Sequence, residues 1–194
     1  MIIVFIGSPG AGKGTQCKRL SSHLKIPHLS TGEILRKAKA DRTPLGIQIT
    51  EILDSGGLVD DLTISNIVEE RISHEDCANG FLLDGFPRTI PQAEYLERVL
   101  ENTGRPLNAV IELSVPVSVS IVRLSGRFKQ TRNPRPEDKP EAITKRIDIY
   151  KRQTAPLFEF YRQRDLLRTV EGVASPKKVF HRILEAIGAD EPSV

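Results

Sequence analysis

The chain has 194 residues, enough for one buried core with small insertions, and its 39% hydrophobic and 27% charged residues exclude a disordered polypeptide. A formal net charge of +3 suits small anionic ligands and is too weak to indicate DNA or RNA. Two distant cysteines, Cys17 and Cys77, indicate neither a disulfide framework nor a zinc site, and no apolar run reaches the length of a membrane span. The N-terminus lacks the basic-then-apolar signature of a signal peptide, so a reducing, cytoplasmic location is expected.

The first predicted element is the strand Ile2–Ile6, which runs straight into Gly7-Ser8-Pro9-Gly10-Ala11-Gly12-Lys13-Gly14-Thr15. A buried strand turning through glycines into a helix is the sequence form of a phosphate-binding loop. Successive backbone N–H groups curl round the anion there, and the helix opening near Lys13 adds its positive dipole end. In such a loop Lys13 reaches the β- and γ-phosphates, and Thr15 offers its hydroxyl to a phosphate-bound Mg²⁺. The general pattern has Ser or Thr directly after the lysine, whereas here Gly14 intervenes. A glycine-rich turn without a ligand is the competing reading, disfavoured by the strand, lysine and helix together. Cys17 shares a helical face with Leu20 and Leu24, which predicts a core thiol.

A short strand is expected near His28–Leu29. Ser30 to Val59 is polar and broken by Pro44 and Gly56-Gly57, and reads as a helical excursion from the sheet. The strand Gly80–Leu83 ends at Asp84. A carboxylate at a strand end, in a sheet that also carries a phosphate loop, is where Mg²⁺ is held; alone it would equally read as a turn residue. Further strands are predicted at Ala109–Leu113 and Leu167–Val170, with a helix from about Glu141 to Gln153. The last helix follows Ser175 as N-cap and Pro176, with an apolar stripe of Val179, Phe180, Ile183, Leu184 and Ile187. Strands alternating with helices predict an α/β fold on a parallel sheet. Arg127 to Pro140 is basic and proline-rich, and its arginines favour a functional lid over a disordered tip. The four histidines, His23, His28, His74 and His181, show no partner spacing and read as structural or surface residues.

Arginines carry the third signal. Catalysis of phosphoryl transfer is largely cationic clamping, for which a permanently charged, forked guanidinium is suited. Arg36, Arg88, Arg123, Arg127, Arg135 and Arg146 lie in or beside motif-like segments, while Arg132, Arg152, Arg162 and Arg164 read as solvated surface.

Taken together these motifs resemble the adenylate kinase family over essentially the whole chain. The resemblance rests on the phosphate loop with Gly14-Thr15, Thr31-Gly32 with Arg36, and Asp84-Gly85-Phe86-Pro87-Arg88-Thr89 with Gln92. Arg123-Leu124-Ser125-Gly126-Arg127, Arg135 with Glu137-Asp138, Arg146 and Thr154-Ala155-Pro156-Leu157 extend it. It implies a three-layer α/β/α core with a five-stranded parallel sheet, made of residues 1–29, 60–126 and 139–194. Residues 30–59 would form an AMP-binding insertion and 127–138 a short lid. The implied reaction is ATP + AMP ⇌ 2 ADP with Mg²⁺, by a monomer that acts on neither nucleic acid nor membrane. Gly10, Ala11, Gly12, Lys13, Gly14 and Thr15 would bind ATP with Arg123, stacked on its adenine, and Arg127, on its phosphates. Thr31, Arg36, Leu58, Val59, Gly85, Arg88, Gln92, Arg135 and Arg146 would bind AMP, with Gln92 on the base edge. Arg135 and Arg146 would close on the transferring group, joining Lys13, Arg88 and Arg127 as catalytic residues; Thr15 and Asp84 would hold Mg²⁺, largely through water.

Two positions depart from the family pattern: Glu33 and Glu137 stand where Asp is usual. No Cys or His lies between Arg127 and Lys139, so a zinc-bearing lid is not expected. The alternatives are a kinase for UMP, CMP or GMP, against which Thr89 and Gln92 argue by resemblance, and an inactive nucleotide-binding module, which has no need of an arginine clamp.

Overall fold

The computed structural model describes residues 1–189. Every residue of β1 (Ile2–Ile6) is buried, as its unbroken apolar run demands of a strand covered on both faces. It lies at the centre of a five-stranded, all-parallel sheet, with β2 (His28–Ser30), β3 (Phe81–Asp84), β4 (Ala109–Ser114) and β5 (Leu167–Glu171) in the spatial order β2-β3-β1-β4-β5. The period of two splits each strand between two cores. Ile2, Val4, Ile6, Phe81, Leu83 and Val110 face one helical layer; Ile3, Phe5, Leu82, Ala109, Ile111 and Leu113 face the other. Helices α1 (Lys13–Leu24) and α10 (Pro176–Ile187) cover the second face. Helices α5 (Asp61–Ile72), α6 (Ile90–Asn102) and α9 (Leu157–Arg162) cover the first. The three-layer α/β/α architecture with five parallel strands is as expected.

Cys17 is fully buried beside Leu20 on α1, and the α10 stripe packs as its periodicity requires, with Ser175 accepting from the Lys178 N–H. β3 begins one residue later than the sequence suggested. Gly80 has φ 123°, and a Cβ there would lie 2.0 Å from the Met1 carbonyl oxygen, so the chain turns at Gly80 and pairs from Phe81. The excursion after β2 is helical, comprising α2 (Thr31–Ala40), α3 (Pro44–Gln48) and α4 (Thr50–Asp54). Pro44 opens α3 rather than merely breaking the chain, because its N–H would have had no helical partner there and Thr43 caps the turn.

Three further differences come from the basic stretch. Helix α7 (Val117–Gln130) carries Arg127 within its last turn, so the irregular segment is shorter than its composition suggested. A 3-10 turn at Pro136–Asp138 then leads into α8 (Pro140–Ile149). The helix expected to reach Gln153 changes to a π-turn over Tyr150–Thr154, with the Ala155 N–H donating five residues back to the Tyr150 carbonyl. Such turns rotate the following side chains off the helical register and occur often at functional sites.

The second core depends on α10 for one whole wall. Replacing the fully buried Ile183 by Ala is expected to cost about 2–5 kcal/mol, read as a lower urea midpoint at unchanged slope. An unchanged midpoint would mean that α10 does not close this core.

Candidate active site

Between β1 and β3 the strand order reverses, and ligand crevices in open α/β sheets form at the carboxyl ends of strands at such a point. The register sets Phe5 beside Asp84, which brings the loop after β1 against the last residue of β3. A cleft of about 590 Å³ opens there. Among the described residues its wall carries eight Lys or Arg side chains and two carboxylates, Glu33 and Asp84.

The loop from Gly7 to Gly12 bends tightly. Gly10 has φ 85°, and a Cβ there would come within 2.7 Å of the Ser120 carbonyl oxygen, so glycine is required. Ser8 and Ser120 share a buried hydroxyl hydrogen bond of 2.7 Å that ties the loop to α7. At the start of α1, Gly12 offers no side-chain cap and the first turn has no acid, leaving its N–H groups to an anion. Lys13 Nζ donates to the carbonyls of Gly7 at 2.7 Å and Ser8 at 3.1 Å. Burial lowers its pKa to about 8, against the opposing pull of Asp84. Burial also works against the Asp84 charge, yet His28, Lys13 and Arg88 outweigh it and hold that carboxyl below its usual range.

Arg123 is anchored by carbonyls, donating to Ala11 at 2.9 Å and Gly172 at 3.1 Å. Arg127 grips the fully buried Asp138 through two bonds of 2.6 and 2.7 Å, and Arg146 donates to the same carboxylate at 2.7 Å. Arg36 reaches from α2 to Glu137 at 3.1 Å, so the 3-10 turn bridges to the helical excursion. Arg135 lines the same wall, where burial and the neighbouring Arg36 and Arg127 depress its pKa. Arg88 is held by the Gly85 carbonyl at 2.7 Å, and burial together with repulsion from Arg146 and Arg36 lowers it to about 10. Cations so crowded and desolvated make a site for a polyanion.

From Arg36, Arg88 and Arg146 a smaller pocket of about 60 Å³ runs past Leu58 and Val59 to Gln92. Thr31 lines it, and its hydroxyl donates to the Asp84 carbonyl. Gln92 is 2% exposed; its Oε1 accepts from the Arg88 N–H and its Nε2 donates to Asp61, both at 2.7 Å. The amide orientation is therefore fixed before any ligand arrives.

The structure brings every predicted residue of the phosphate loop, the arginine set and the base pocket to these two connected spaces. Sequence reasoning missed their supports. Asp61, one residue after the N-cap Asp60, passes for a first-turn acid but accepts from both Gln92 and Thr89. Thr154 uses the π-turn to donate to the Arg88 carbonyl at 3.0 Å. His28, structural or surface by its sequence context, has a buried side chain with Nε2 3.6 Å from an Asp84 oxygen, and Cys17 lies beside both. Lone residues on three separate elements leave no spacing signal to find.

The family model described as Adenylate kinase matches residues 5–166. The adenylate kinase of Xylella fastidiosa strain 9a5c is 43% identical over 188 residues, spanning 97% of this chain and all of that protein. The adenylate kinase of Xanthomonas campestris pv. campestris strain B100 is likewise 43% identical, with the same coverage. Adenylate kinase 1 of Nostoc sp. is 42% identical over 96% of this chain and 98% of its own length. With its fold, cleft and near full-length kinship in agreement, the chain belongs to the adenylate kinase family.

Proposed function

We propose that this enzyme transfers the γ-phosphoryl group of ATP to AMP, reversibly and with Mg²⁺, giving two molecules of ADP. A single cationic cleft with two unlike ends carries this reading. One end is the phosphate loop, with Lys13 and the open N-terminus of α1; the other is the Arg36–Arg88 pair backed by a narrow base pocket. Arg127, Arg135 and Arg146 lie between them.

In this assignment a phosphate oxygen of AMP attacks the γ-phosphorus in line. The bond from that phosphorus to the β–γ bridging oxygen breaks, and no covalent enzyme intermediate forms. Lys13 holds the β- and γ-phosphates, exchanging its loop carbonyls for phosphate oxygens. Arg36 and Arg88 hold the acceptor phosphate, Arg127 holds ATP, and Arg135 with Arg146 stabilises the charge spread over the transferring group. Arg123 offers its carbonyl-anchored guanidinium plane to the ATP base, while Thr31, Gly85, Leu58, Val59 and Gln92 enclose the AMP base. Thr15 and the ionised Asp84 are hard oxygen donors that suit Mg²⁺ held largely through its own waters, and the bound ion would draw charge from the phosphate oxygens. Residues 30–59 and 127–138 act as mobile parts that close over the substrates and exclude water, a role supported by their excursion from the sheet and their mutual Arg36–Glu137 contact. Both cysteines are free thiols, and no helix among the described residues is long and apolar enough to cross a membrane. A cytoplasmic monomer working on free nucleotides completes this reading.

ADP formation from ATP with AMP, GMP, CMP or UMP, with and without Mg²⁺, tests the reaction. Rapid turnover is expected with AMP and Mg²⁺ only. Preference for another monophosphate would overturn the base-pocket assignment, and no turnover with any would leave a binding module. Arg88→Ala is expected to lower kcat/KM for AMP by about 10²–10³-fold, the cost of losing one charge-stabilising donor, while ATP affinity stays within a few-fold.

Lys13 makes the free enzyme pH-sensitive. Its pKa is about 8 in the fold and 10.5 when unperturbed, so the unfolded chain holds the extra proton between these values and the stability of the nucleotide-free protein rises across that window. Bound phosphates favour the charged lysine, so ATP affinity is full below about pH 8 and declines above it. Calorimetry just above that pH, in buffers of different ionisation enthalpy, should show proton uptake on ATP binding that Lys13→Met abolishes.

A further inference from the structure

Under the phosphate loop three side chains from three elements converge, two of them, Cys17 and His28, without a part in the proposed reaction. Cys17 projects inward from α1, His28 begins β2, and Asp84 ends β3. Their Sγ, imidazole nitrogen and carboxylate oxygen all lie within 4.8 Å of one another. The His28 side chain is 8% exposed, yet its Nε2 has no hydrogen-bond partner; the nearest Asp84 oxygen, at 3.6 Å, is beyond hydrogen-bond reach. A buried imidazole nitrogen normally makes a hydrogen bond, so one that faces a thiol and a carboxylate without bonding either directly leaves a place for a ligand between them.

The donor set states which kind. Nitrogen, sulfur and one carboxylate oxygen match the borderline-soft ions of the zinc class, whereas Mg²⁺ and Ca²⁺ prefer oxygen alone. Ligands held about 2.0–2.3 Å from a tetrahedral zinc lie roughly 3.3–3.6 Å apart, close to the His28–Asp84 separation. Three protein ligands leave one position open. Asp84 lines the cleft with its side chain 14% exposed, which gives an entry side and a place for a fourth ligand from water.

We propose that Cys17, His28 and Asp84 form a binding site for a zinc-class divalent cation at the floor of the cleft, and that the bound ion inhibits phosphoryl transfer. On binding, the Cys17 thiol gives its proton to solvent and its sulfur, the His28 Nε2 lone pair and an Asp84 oxygen each form one bond to the metal. The Asp84 carboxylate is then engaged by the wrong ion, and its attraction for the Lys13 charge is spent on the metal. This site is distinct from a zinc-bearing lid, and only its effect on turnover rests on the proposed reaction.

Titration of the full chain with Co²⁺, a spectroscopic stand-in for Zn²⁺, tests the site directly. One equivalent should raise a thiolate-to-cobalt charge-transfer band, which Zn²⁺ then bleaches by displacement. The band should persist in Cys77→Ala, vanish in Cys17→Ala, and need about ten-fold more metal or more in His28→Gln. Cys17→Ser, which keeps the volume without a thiolate, replaces the alanine variant if that one is misfolded by circular dichroism. Zn²⁺ should inhibit ADP formation by the unsubstituted chain and by Cys77→Ala, with Cys17→Ala resistant to about ten-fold more Zn²⁺. No band, a band surviving in Cys17→Ala, or one lost in Cys77→Ala overturns the site. A band with equal zinc inhibition of Cys17→Ala overturns its inhibitory role. A band in a chain that makes no ADP even without Zn²⁺ overturns the proposed reaction and leaves the binding site standing.

Discussion

Removing a cation from water is costly unless something anionic replaces the lost hydration, and this molecule gathers many cations around one cleft. Lys13 and Arg88 feel the cost most, each with a pKa pulled down mainly by burial. The fold tolerates the crowding by providing interim partners. Loop carbonyls take Lys13, backbone oxygens take Arg123 and Arg88, and the paired acids Glu137 and Asp138 take Arg36, Arg127 and Arg146. Those two acids are buried because they sit among guanidiniums, and the guanidiniums are tolerable because the acids are there.

The sheet makes this arrangement possible. A central strand with no polar residue fixes where the phosphate loop emerges, and the parallel register brings Asp84 to it from the next strand. Helices α1 and α10 close one face without covering the carboxyl ends of the strands. The segments that cover those ends, α2 to α4 and the turn before α8, join each other and α8 through charged and backbone hydrogen bonds, while Leu35 and Ile49 seat the first of them on the core. An apolar floor, and a roof that is apolar toward the core and charged toward the cleft, follow from where the apolar residues lie in the chain.

Much of this was legible in the sequence. The phosphate loop is contiguous, so strand, glycines, lysine and helix announce one another, and Asp84 is readable because it ends an apolar run. The strands and the α10 stripe follow from periodicities of two and 3.6 residues. What stayed hidden has no local signature. The Gln92–Asp61 pair joins helices 31 residues apart, and Cys17, His28 and Asp84 meet only once three elements pack. The π-turn depends on one carbonyl choosing a donor five residues on, which no composition encodes. Likewise Pro44 signals a break in sequence but opens a helix in space, since the choice depends on the cap before it.

The bond from Arg36 to Glu137 joins the two segments that flank the cleft, and its position matters to a half-filled site. Under the proposed reaction, an acceptor phosphate takes Arg36 away from its acid. Until then Arg36 stays neutralised by Glu137, and the neighbouring Asp138 likewise holds Arg127 and Arg146, the arginines assigned to ATP and the transferring group. Under that reaction, water arriving with ATP alone meets an incomplete clamp, and Glu137 with Asp138 serves as a safety catch against futile hydrolysis. The carboxylate pair is then a fidelity device as much as a structural one, guarding the cell's high-energy phosphate by keeping the arginines occupied until both partners are present.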